Sequence, residues 1–173
     1  MERASTRSAT AKGDAEVRWL TSQEHAAWIE LRRLILLLPS ALDSRMLRQA
    51  GLSFFEYQIL ATLSERVDRT LRMSELAEVT SSSLSRLSHA VSRLETKGFV
   101  TRRRCEGVGR SSVATLTSRG FRKLVASAPD HVESVRSLVI DGLTKEQLRS
   151  LGTIATCIVG RLDAGEAGTA CSL

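Results

Sequence analysis

Apolar side chains recur at helical spacing along most of this sequence, and the clearest run lies over residues 84–94. There Leu84, Leu87, Val91 and Leu94 step by three, four and three residues, which puts them on one buried stripe. Ser85, Arg86, His89 and Arg93 fall on the other faces of the same predicted helix. A short helix over 74–79 precedes it, with Leu76 and Ala77 as its apolar contacts. Between the two, Ser81, Ser82 and Ser83 offer side-chain oxygens to the free N–H groups that open the second helix. Gly98 stands where a left-handed helix cap is wanted. Beyond it, 99–104 and 112–116 read as short strands, with Gly107 and Gly109 between them.

The flanks are helical too. Thr21-Ser22-Gln23-Glu24 has the spacing of a capping box. The helix it opens carries Ala26, Trp28, Ile29, Leu31 and then an unbroken apolar run over 34–38. That second half is apolar nearly all the way round, so it needs cover on several sides, and a second subunit is the simplest source. Pro39 is expected to kink the helix by removing a hydrogen bond to Ile35. The pattern resumes with Leu42, Met46 and Leu47 and ends at Gly51. A second capping box, Ser53-Phe54-Phe55-Glu56, opens a scaffold helix with Phe55, Ile59 and Leu63 on one face and Tyr57 and Leu60 beside it. Leu71-Arg72-Met73 suits a short strand pairing with the hairpin.

Downstream, Thr117 caps a long helix from Ser118 that Gly120 and Pro129 interrupt without ending, because Val132, Val135, Leu138 and Val139 continue the stripe to Asp141-Gly142. A third capping box, Thr144-Lys145-Glu146-Gln147, starts a last helix whose Leu148, Leu151, Ala155, Ile158 and Leu162 form a seam suited to another helix. Residues 1–18 and 164–173 have little to bury and are expected to be disordered or flexible tails.

Helix, turn, helix and basic hairpin together describe a winged helix-turn-helix, whose second helix is sized for a DNA major groove. The predicted class is mainly α with a small β wing. A DNA-binding lobe over 51–117 is flanked by an N-terminal dimerisation helix over 19–50 and C-terminal dimerisation helices over 118–163.

Charge sharpens this picture. Between residues 81 and 110 there are seven basic residues (Arg86, Arg93, Lys97, Arg102, Arg103, Arg104, Arg110) against Glu95 and Glu106, while the whole chain carries only +6. Neutralising phosphates needs a concentrated basic surface of this kind. With 173 residues, 42% of them apolar but only 4% aromatic, the core must be aliphatic and helix-rich. The longest apolar run, over 34–38, is far short of the roughly 20 residues that cross a bilayer. The first fifteen residues lack an apolar signal core, so a cytoplasmic protein is expected. Cys105, Cys157 and Cys171 are widely spaced, with no CxxC or His/Cys cluster for zinc; reduced thiols and no cofactor are expected. Ser88 and His89, as helical neighbours, face different directions and make no nucleophile–base pair, so catalysis is not expected.

Several stretches carry a resemblance: AGLSFFEYQILATL, RMSELAE, SRLSHAVSRLETKGFVTRR and GRSSVATLTSRG. Over 19–162 the chain resembles the MarR family of bacterial transcription regulators, and LSRLSH running through LETKGFV into the wing is particularly close to actinobacterial members. The resemblance implies a homodimer built from the first and last two helices. It also implies a repressor that binds a pseudo-palindromic double-stranded DNA operator and is released by a small aromatic or phenolic effector. Two departures stand out. The run Val108-Gly109-Arg110 lacks the acidic residue that commonly holds the wing-tip arginine, and Ser81-Ser82-Ser83-Leu84 replaces the Trp and charged residues that often open the recognition helix.

Candidate roles follow. Arg86 is suited to direct readout, since arginine can grip guanine O6 and N7 with two hydrogen bonds; the bland alternative is a surface arginine paired with Glu95 or a phosphate. Ser83 and Ser85 would serve phosphates or base edges, unless Ser83 is only a helix cap. His89 would contact phosphate or base, or be purely structural, and Arg93 would meet phosphate. Arg102, Arg103 and Arg104 alternate across a strand, so one or two would meet phosphates and the other protein, while Arg110 would enter the minor groove. Trp28, Leu31, Leu52 and Tyr57 are candidates for an effector cleft, against a plain core role for each. Two further readings are a redox-responsive regulator acting through Cys105, beside three arginines, and a winged-helix protein–protein adaptor.

Overall fold

A computed structural model describes residues 17–104 and 112–164 of the chain. Two compact units emerge, Met1–Leu36 and Leu37–Leu173. The first holds the opening of helix α1 (Ser22–Ala50). Thr21 caps it: its hydroxyl and backbone N–H both donate to Glu24, and the Glu24 N–H donates back to the hydroxyl. α1 runs through Pro39 as one helix and stops where Gly51 adopts a positive φ of 63°.

In the second unit, α2 (Phe54–Ser64) begins at the complete capping box of Ser53 and Glu56. Strand β1 (Thr70–Arg72), helix α3 (Met73–Val79) and helix α4 (Leu84–Thr96) follow, then strands β2 (Val100–Arg104) and β3 (Ser112–Leu116). The three strands form one antiparallel sheet in the order β1-β3-β2. Leu71 sits opposite Ala114, and Arg102 opposite the other side of the same residue. Helix α5 (Ser118–Val135) continues into a π-helical turn (Arg136–Ile140), closed by the Asp141 N–H donating to Arg136 O. Helix α6 (Lys145–Asp163) starts at the Thr144–Gln147 capping box.

One core supports the lobe. Leu52, Phe55, Ile59, Leu60 and Leu63 of the α2 region pack with Leu76, Leu87, Val91 and Leu94 of α3 and α4, and with Val100, Ala114 and Leu116 of the sheet. The stripe of α4 differs from the predicted one at a single place. Leu84 is 57% exposed and Ala90 is buried in its stead. Leu84 is the first helical residue, and a helical side chain leans toward its own N-terminus, which here is the open end of the turn.

Gly120 is required by close approach. A Cβ there would lie 2.0 Å from Phe99 O, so the first turn of α5 rests directly on the backbone leading into β2. Thr117 fixes that joint, donating from its hydroxyl to Gly98 O and Phe99 O while accepting from the Gly120 N–H. Of the expected tails over 1–18 and 164–173, residues 1–16 and 165–173 lie outside the described residues, as does the wing tip with Cys105, Gly107, Gly109 and Arg110.

Candidate nucleic-acid interface

The turn between α3 and α4 is tight. Ser81 takes a positive φ of 46°, and the Ser82 N–H donates to Ala77 O at 2.9 Å. The serine run divides its labour. Only Ser83 caps α4, its hydroxyl accepting from the Arg86 N–H at 3.2 Å, whereas Ser82 hydrogen-bonds Thr80. Leu87, Ala90, Val91 and Leu94 are buried beneath the helix, and Ser85, Arg86, His89 and Arg93 are exposed on it.

The basic residues are held in three different ways. The Arg86 guanidinium lies over the Phe55 ring, 4.5 Å from its centroid, and Glu95 is bound elsewhere. Glu95 accepts from the Arg102 N–H at 3.0 Å and pairs with its guanidinium at 3.3 Å, and Arg102 also donates to Ser88 Oγ. Arg102 thereby ties the first wing strand to the recognition helix. Arg93 Nε donates to Glu56 Oε1 at 2.8 Å, and Lys97 Nζ to Glu56 Oε2 at 3.1 Å. Arg103 and Arg104 are exposed on β2.

Glu56 was legible only as a capping residue, yet its side chain is 3% exposed and receives both cations besides the Ser53 N–H. Burial pushes its pKa up, but the hydrogen bonds from Arg93 and Lys97 outweigh that and hold the carboxyl below its ordinary value. A buried carboxylate among exposed cations is a pattern no local spacing announces.

A cavity of about 390 Å³ opens on the other side of α2, lined by Tyr57, Phe54, His131, Val79, Thr80 and Ser81 among others. His131 of α5 stacks on Phe54 and Tyr57, with ring centroids 5.8 and 4.4 Å away, and its buried Nδ1 has no hydrogen-bond partner. Desolvation lowers the His131 pKa and raises that of Tyr57, so burial favours the neutral form of both rings. Of the four candidate effector residues, Tyr57 lines this cavity. Leu52 is fully buried in the core, and Trp28 and Leu31 belong to the first unit, half-exposed and half-buried respectively. His131 was missed in the sequence because a lone histidine inside a helical run carries no local signal.

A helix-turn-helix with a three-stranded wing has close counterparts. A MarR family model matches residues 50–111. Sco3205 of Streptomyces coelicolor, a MarR family transcriptional regulator solved in complex with DNA, is 43% identical, with a TM-score of 0.75 over 83% of this chain and 92% of that one. The chain belongs to the MarR family. A second MarR family regulator, AbsC from the same organism, is 38% identical with a TM-score of 0.75, over 86% of this chain and all (100%) of its own. The HTH-type transcriptional regulator PecS of Dickeya dadantii is 33% identical over 110 residues, which is 63% of this chain and 66% of PecS. Membership agrees with the mainly α fold and its small β wing, and makes this chain a transcriptional regulator among relatives that are regulators rather than enzymes. Among the described residues no helix is long and apolar enough to cross a membrane.

Proposed function

We propose that this MarR-family chain binds double-stranded DNA sequence-specifically, as a homodimer on a pseudo-palindromic operator, and represses transcription until a small molecule releases it. One observation carries the DNA reading. Ser85, Arg86 and His89 stand exposed on α4, opposite its buried Leu87, Ala90, Val91 and Leu94 and beside a strand bearing Arg102, Arg103 and Arg104. A helix presented this way fits a major groove, with the wing alongside on the phosphates. The DNA-bound state of Sco3205 supports the same assignment.

Arg86 reads guanine in this scheme, Ser85 and His89 meet base edges or phosphate, and Ser83 adds a hydroxyl at the helix start that it also caps. Arg103 meets phosphate. Arg93 and Arg102 do so only through the guanidinium nitrogens that Glu56 and Glu95 leave unused. Arg110 is assigned the minor groove.

Dimerisation would cover apolar surface that a lone chain leaves in water. In α6, Leu148, Leu151, Ile154, Ile158 and Leu162 are all exposed, and so, in the first unit, are Trp28, Leu34, Ile35 and Leu36. The effector is assigned to the Tyr57–His131 cavity, whose aromatic walls suit a small aromatic or phenolic molecule and whose rim includes Thr80 and Ser81 of the recognition turn. A ligand seated there favours one setting of that turn over another, which is all that release requires. The role calls for a cytoplasmic protein, no cofactor and no catalysis.

Selection of bound sequences from a random duplex pool, followed by affinity measurement across a salt series, tests the reading. Enrichment of an inverted repeat with half-sites about one helical turn apart is expected, with affinity falling steeply as salt rises. A chain that runs as a monomer and ignores duplex at low ionic strength, as a protein–protein adaptor would, overturns it.

A further inference from the structure

Phe55 and Glu56 are neighbours on α2, and both face α4, yet they treat the arginines they meet differently. Glu56 accepts from Arg93 Nε and so occupies one of that side chain's donors. Phe55 meets Arg86 through its ring, which contains no hydrogen-bonding atom, so the contact leaves all the guanidinium N–H groups available. Phe55 is itself only 9% exposed and belongs to the core with Ile59, Leu87 and Leu94, which makes the ring a fixed surface rather than a second mobile side chain.

Arg86 is anchored at its other end as well. It is the third residue of α4, and its N–H donates to Ser83 Oγ, so its backbone is set by the cap and its guanidinium by the ring. An unrestrained arginine spreads over many rotamers and loses that freedom when it grips a base. One already laid on a rigid ring has less to lose, and the saving appears only where both donors of the fork find acceptors. A phosphate contact, which a point charge satisfies from many directions, gains much less from the same restraint.

We propose that Phe55 is a positioning residue for base selectivity, acting through Arg86 and without touching DNA. The proposal rests on the DNA-binding reading above. The test uses the full chain and the duplex enriched from the random pool by the wild type, with an unselected duplex as reference. Affinities are measured for wild type, Phe55→Leu, Arg86→Ala and the double variant, alongside thermal melts and a salt series.

Cation–π contacts at exposed sites correspond to about two- to fivefold in an equilibrium constant. Phe55→Leu should therefore weaken the selected duplex about two- to fivefold, leave the unselected one and the salt slope unchanged, and add nothing once Arg86→Ala is present. Equal weakening on both duplexes, or the same further loss in the Arg86→Ala background, would show Phe55 to be core and nothing more. Should Phe55→Leu fail to fold, Phe55→Met removes the ring while keeping an unbranched apolar side chain and faces the same two outcomes. A wild type that enriches no sequence defeats the DNA reading itself, a result distinct from either.

Discussion

Replacing Glu56 by glutamine isolates the clamp between the scaffold and recognition helices. The carboxylate receives three donors: Arg93 Nε at 2.8 Å on one oxygen, and Lys97 Nζ at 3.1 Å with the Ser53 N–H at 3.2 Å on the other. Glutamine keeps the volume but has one acceptor oxygen, so its NH2 must face either Arg93 or the other two donors. Removing one member of a buried pair typically costs about 3–5 kcal/mol because a charge is left buried without a partner. Here the remaining charges are not buried, since the Arg93 and Lys97 side chains are 56% and 38% exposed and can turn to water. What is lost is the charge assistance of hydrogen bonds to a fully buried acceptor, about 1–3 kcal/mol in all.

The pH dependence checks the cause as well as the size. The folded pKa of Glu56 lies below the ordinary glutamate value of 4.5, so the unfolded chain binds more protons between the two. The wild-type advantage should then be complete above about pH 4.5 and fade as the pH falls through the depressed value. Urea unfolding of both proteins, at one fixed protein concentration and at steps from pH 7 to pH 3, measures this. A glutamine variant within about 0.5 kcal/mol of wild type at pH 7 would refute the clamp. A gap unchanged down to pH 3 would refute its electrostatic origin.

Other substitutions probe separate joints. Gly120→Ala places a Cβ 2.0 Å from Phe99 O and should lower the unfolding midpoint sharply, by about 3 kcal/mol or more, whereas Gly142→Ala, with nothing within 4 Å, should be nearly neutral in the same melts. Ile158→Glu on the exposed seam of α6 should convert a dimer to monomers in sedimentation equilibrium; an unchanged mass would place the subunit contact elsewhere. Arg86→Ala should erase the preference for the selected duplex, while Arg103→Ala should weaken selected and random duplexes alike and reduce the salt slope by about one. Equal losses on both duplexes for both variants would count against the division of labour.

The sequence by itself determined most of what depends on neighbours within a turn or two, the exposed Leu84 and the π-helical turn at Arg136–Ile140 being the local exceptions. The three capping boxes at Thr21, Ser53 and Thr144, the Ser83 and Thr117 caps, the helix stop at Gly51 and the left-handed Gly98 all rest on residues a few positions apart, and all appear in the structure. The winged helix-turn-helix was legible for the same reason, because periodicity and turn residues mark each element in place. Tertiary packing decided which charges are spent inside the protein. The Glu56–Arg93 pair joins residues 37 positions apart, and only the docking of α4 on α2 makes Glu56 a buried acceptor rather than an exposed cap. It likewise turned Gly120 from a helix interruption into a contact point, set Arg86 on Phe55, and brought His131 against Tyr57. Local spacing records which face a residue takes; what stands opposite that face is a property of the assembled core.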